Sequence, residues 1–98
     1  MVQTILLTFV AGVFGANGTP HFVKGITKEQ FPTVFGAGPL VNLVAGWTMY
    51  VLTAVLLIFA HLDRHPMAAL VSGALGMLLM GAFHARLGAF GKRPAPSH

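Results

Sequence analysis

Acidic side chains are nearly missing from this chain: Glu29 and Asp63 stand alone beside six Lys and Arg. Charged residues make up 8% of the sequence, against about a quarter in ordinary globular proteins. That is too little charge to coat a water-soluble core. Cysteine is absent altogether, which excludes disulfides, thiolate metal sites and cysteine nucleophiles. Neither Lys24 nor Lys28 sits in a Gly-x-x-x-x-Gly-Lys phosphate loop. No long apolar run carries an ionisable residue at its centre, where proton relays and ion-coupled carriers show one.

What is present is apolar. Hydrophobic residues account for 55% of the chain and the mean hydropathy is +0.76. A soluble fold of this composition would expose large apolar patches and aggregate, so lipid is the expected solvent and the bilayer the first partner. The sequence pI is near 10.4, yet the positive charges are few and lie beside apolar segments. That placement fits anionic lipid head groups, at on the order of 1 kcal/mol per Lys or Arg, and not nucleic acid.

The pattern predicts an all-α membrane protein with three transmembrane helices, at about 2–17, 40–60 and 67–88, and a long loop between the first and second. Residues 1–90 form a single transmembrane domain in this reading, and 91–98 a short basic tail with no core to join. The first apolar run is read as a retained span. No Lys or Arg precedes it, and no small-x-small pair suits a signal cleavage near Ala16. Asn17-Gly18-Thr19-Pro20 is expected to end that helix, because Gly18 accepts a left-handed cap and Pro20 lacks the N–H that the ladder needs. Leu40 to Ala60 contains no charge and follows Pro39, a natural first helical residue. His61 to Pro66 forms a polar turn whose two histidines are expected to be solvated.

With three spans, Lys24, Lys28, Arg86, Lys92 and Arg93 fall on one side and Arg64 on the other. The positive-inside rule then puts the loop and tail in the cytoplasm and the amino terminus outside. Glu29 and Asp63 fall on opposite sides, so they form no carboxylate dyad.

Small residues mark expected helix contacts, since close backbone approach gains packing that lipid cannot replace. Gly12 and Gly15 mark such a stripe on the first helix; Gly73, Gly76 and Gly81 mark one on the third. Both helices are expected to pack on the second. Trp47 and Tyr50 are read as interfacial anchors. A polar cluster of Asn17, His21, Asn42, His84 and Arg86 is expected at the cytoplasmic mouth. Such a group has the chemistry to hold an anion, a carbonyl or a metal, or merely to cap helix ends and tie the loop down. No catalytic residue, metal ligand set or cofactor is assigned.

The loop is expected to dock on the bundle, because Phe22, Phe31 and Phe35 would each lose roughly 1.5 to 3 kcal/mol if left in water. His21 is expected within hydrogen-bonding reach of a polar group on the second or third helix.

The segments Asn17-Gly18-Thr19-Pro20-His21-Phe22 to Thr27, Phe31-Pro32-Thr33-Val34-Phe35-Gly36, and Pro39-Leu40-Val41-Asn42 to Gly46-Trp47 carry a resemblance. Over roughly its first half, the chain resembles a group of small bacterial inner-membrane proteins with an Asn-Gly-x-Pro-His-Phe motif and no established activity. The resemblance implies a bacterial inner-membrane location and assigns no reaction, substrate or residue role. Contact stripes without a catalytic constellation point to a non-enzymatic protein that associates with itself or with a larger membrane complex. The alternatives are a homo-oligomeric channel or carrier for a small solute, with Thr48, Thr53 or Ser72 turned inward, and a metal- or anion-binding protein using His21 and His84.

Overall fold

The computed structural model describes residues 1–94 and contains three helices, α1 (Val2–Ile26), α2 (Pro39–Ile58) and α3 (Pro66–Leu87). All three are long and apolar enough to cross a membrane. Pro39 and Pro66 open α2 and α3 at the first helical turn, where a missing N–H costs nothing. The burial pattern is inverted relative to a soluble protein. Thr4, Thr8, His21, Thr33, Asn42 and Ser72 are buried together with four alanines, whereas Leu40, Ile58 and Leu78 are about 70% exposed. A surface of large apolar side chains around an interior of small and polar ones is what a lipid solvent selects. The chain is a small three-span integral membrane protein.

The first helix differs from expectation at its end. It does not stop at Gly18 but runs on through Pro20 to Ile26, 25 residues in all, or about 37 Å. Thr27 to Gly38 remain as the loop. The cause is tertiary. A Cβ built on Gly46 would stand 2.5 Å from the Phe22 nitrogen, one on Gly25 2.6 Å from the Leu43 nitrogen, and one on Gly18 2.7 Å from the Met49 Cβ. The last turns of α1 therefore lie backbone against backbone on α2. That packing outweighs the single ladder bond that Pro20 forfeits. Lys28, at φ 60, finally turns the chain away.

The arrangement of the helices also corrects the sequence reading: α1, not α2, is central. Helices α2 and α3 each pack on α1 and make no close backbone approach to each other. Two different faces of α1 carry the close approaches. Gly18 and Gly25 meet α2, while Gly12 crosses the Gly73 carbonyl of α3 and Gly76 crosses the Phe9 carbonyl. Gly15 faces the Thr53 side chain of α2 at 3.7 Å. Gly81 has nothing within 4 Å of its would-be Cβ and takes no part; five residues beyond Gly76, it is turned to another side of the helix.

At the amino-terminal end of α1, the Gln3 amide donates to the Phe59 carbonyl (2.8 Å) and the Thr4 hydroxyl to the Ala60 carbonyl (2.6 Å). These are carbonyls at the end of α2 that lack a helical partner. At the opposite end, the loop and the residues after α3 meet. The Lys92 N–H donates to the Thr33 carbonyl at 2.7 Å in an isolated antiparallel bridge. Gly91, at φ 111, lies so close to Thr33 that a Cβ would overlap its carbonyl. The start of the tail thus joins the fold through Gly91 and Lys92, which the sequence reading did not foresee; residues 95–98 lie outside the described residues.

Candidate functional site

The site grows from one amide. Asn42 lies in the first turns of α2 and is fully buried. Its Nδ2 faces three backbone carbonyls, those of Phe31 (2.9 Å), Ala37 (3.2 Å) and Gly38 (2.9 Å). Carbonyls only accept, so the amide nitrogen must be the group that faces them. The Asn42 Oδ1 is then left to accept from His21 Nδ1, at 2.7 Å. One side chain thereby closes the loop over the end of α1 and selects the tautomer of a histidine. With its proton on Nδ1, neutral His21 carries a lone pair on Nε2.

His21 is 7% exposed, and its placement follows from the extended α1. Because the helix continues past Pro20, His21 points from a helical face into the bundle. The Phe31 ring meets it edge-on at 5.2 Å between centroids, and His84 does so at 6.3 Å. His84, on the last turns of α3, donates from Nδ1 to the Gly88 carbonyl (2.5 Å) and places Nε2 2.9 Å from the Asn17 Oδ1. A doubly protonated ring donates to that oxygen. A neutral ring with its proton on Nδ1 takes a bond from the Asn17 NH₂ once that amide is turned over.

Four of the five residues of the expected polar cluster therefore converge: Asn17, His21, Asn42 and His84. Arg86 does not. It is exposed on α3, two residues past His84 and so turned about 200° around the helix. The loop docks, but unevenly. Phe22 belongs to α1 and packs on Tyr50 (5.4 Å), Phe31 covers His21, and Phe35 is left 79% exposed. Pro32 and Thr33 carry the rest of the contact, both being buried. Among the described residues no group of three or more His, Cys, Asp or Glu is gathered to hold a metal.

A cavity of about 320 Å³ opens beside these groups, reached by His21, Asn17, His84 and Thr33 and otherwise walled by apolar side chains such as Met49, Met80 and Phe83. A second groove of about 590 Å³ runs along the opposite face of α1, between α2 and α3, over Ala11, Gly12 and Gly15. Sequence reasoning missed the Gly18, Gly25 and Gly46 seam. Its signal was the seven-residue spacing of Gly18 and Gly25, which shares a helical face only if the helix is carried through Pro20. It also missed the contact of Thr33 with Lys92, for which no local pattern exists.

No protein-family model, curated protein or solved structure matches the chain.

Proposed function

We propose that this three-span membrane protein acts by lateral association in the bilayer, with a second copy or with a helix of a larger membrane complex. One observation carries the reading. Helices α2 and α3 flank α1 with no close backbone approach to each other, so an open groove lies between them, lined by Gly15, Leu70 and Met77 beside the Gly12–Gly73 crossing. Small residues admit close approach of a helix, and such packing drives association where lipid removes the hydrophobic term. The location belonging to this reading is a bacterial inner membrane, as the resemblance implies. The loop and tail face the cytoplasm, supported by the five cations Lys24, Lys28, Arg86, Lys92 and Arg93 at that end against Arg64 at the other.

The chain has no cysteine, so single cysteines report cleanly. Leu70 lines the groove, whereas Leu75 is exposed and five residues further along α3. In native membranes, L70C is expected to cross-link to a second protein or second copy and L75C is not. A monomer in mild detergent with no co-purifying protein, together with equal or absent cross-linking at both positions, refutes the proposal.

A further inference from the structure

We infer that the cavity beside His21 is a binding site for an uncharged, lipid-soluble hydroxyl compound with a ring head, of the phenol or hydroquinone class. The ligand hydroxyl donates to His21 Nε2. The first ground is the locked acceptor. The three carbonyls on Asn42 orient its amide, the amide oxygen accepts a hydrogen bond from the His21 Nδ1–H, and in the neutral ring Nε2 is left as a lone pair. Nε2 has no hydrogen-bond partner among the described residues. It is not sealed from a probe either, since no buried side-chain nitrogen or oxygen lacks a partner. His21 is more than nine-tenths buried and is one of the residues lining the cavity.

The second ground is the rest of the lining. No Lys, Arg, Asp or Glu side chain lines the cavity, so an ionised ligand would shed its water without a permanent counter-charge. A neutral donor avoids that cost. Met49, Met80, Phe83 and Phe90 supply thioethers and ring edges, which favour an aromatic ring over an aliphatic alcohol. A metal ion is disfavoured because both nitrogens of His84 are already engaged. The volume, about 320 Å³, lies at the small end of ligand pockets and suits a single ring. Val34, Phe35 and Phe90 rim the opening and are each more than 60% exposed, an apolar exit along which an alkyl tail reaches lipid.

The test uses the full chain in nanodiscs with ¹⁵N-labelled histidine, para-octylphenol as probe, and its methyl ether, para-octylanisole, which lacks only the donor. Nitrogen NMR is expected to show His21 with its proton on Nδ1. The phenol should move the Nε2 resonance saturably and bind about tenfold tighter than the ether, the usual effect of leaving one buried acceptor unmet. Ala45 lines the same cavity without bonding to His21. Ala45→Leu should abolish the response while the Nδ1–H signal persists as proof of folding. Equal binding of phenol and ether, an unmoved Nε2 resonance, or a response to octyl phosphate or zinc in place of the phenol overturns the inference.

Discussion

Replacing Asn42 with aspartate changes one atom's chemistry and almost nothing of its volume, so it isolates what the amide does. In the native protein the Nδ2 group faces the carbonyls of Phe31, Ala37 and Gly38, and its two hydrogens make two full bonds' worth of interaction. Asparate at this position would set an oxygen against three carbonyl oxygens while keeping, or strengthening, the bond from His21 Nδ1. The loss of two amide–carbonyl bonds at about 1 kcal/mol net each sets a minimum of about 2 kcal/mol, to which repulsion from the three carbonyls adds. That minimum corresponds to an approximately 30-fold rise in the opening of the loop. The amides that report it are Phe31 N–H, bonded to Ala37, and Thr33 N–H, bonded to Gly36. In nanodiscs their exchange with deuterium should accelerate by at least that factor, while amides in the middle of α2 and α3 stay protected. Asn42→Leu, which removes the His21 partner too, should open the loop at least as far. Unchanged exchange at Phe31 and Thr33 in both variants would show that the loop is held by something other than this side chain.

Four further outcomes are expected elsewhere in the molecule. Gly46→Ala should destabilise the protein by roughly 1 to 3 kcal/mol in detergent unfolding, because its Cβ meets Phe22 backbone that cannot move aside. Gly81→Ala, in open space, should be neutral or stabilising by up to about 1 kcal/mol; equal effects would refute the seam. Gly91→Ala should free the tail, read as faster exchange of the Lys92 amide, since both its φ of 111 and the Thr33 carbonyl exclude a side chain. Finally, the Thr27 hydroxyl and, secondarily, the charge of Lys24 hold the Glu29 carboxyl below the usual Glu range. Its small contribution to the loop is therefore present at neutral pH and is lost as pH falls through that lowered pKa. NMR titration should find Thr27→Val raising the pKa more than Lys24→Gln does, and an unshifted carboxyl in the native protein would contradict the contact.

Much of this molecule is legible from composition and order alone. A near absence of charge, three apolar runs and a proline at the head of two of them specify three spans, because unpaired backbone has no partner in hydrocarbon and helices satisfy it locally. His21, Asn17, Asn42 and His84 were legible as a group for the same reason, since polar residues near membrane ends need partners and the topology brings those ends together. The exclusion of Arg86 was not legible, as it depends on the rotational setting of α3. The extension of α1 through Pro20 was hidden as well. Local chemistry at Asn17 to Pro20 favours a stop, and only the glycine seam against α2 makes continuation the better choice. Central placement of α1, the tie of Gln3 and Thr4 to the end of α2, and the bridge from Thr33 to Lys92 are likewise decisions of the tertiary structure. Hydrophobic pattern encodes how much of each segment lies in lipid. Which helix touches which, and which lone pair is left facing a cavity, depends on backbone contacts between residues far apart in the chain.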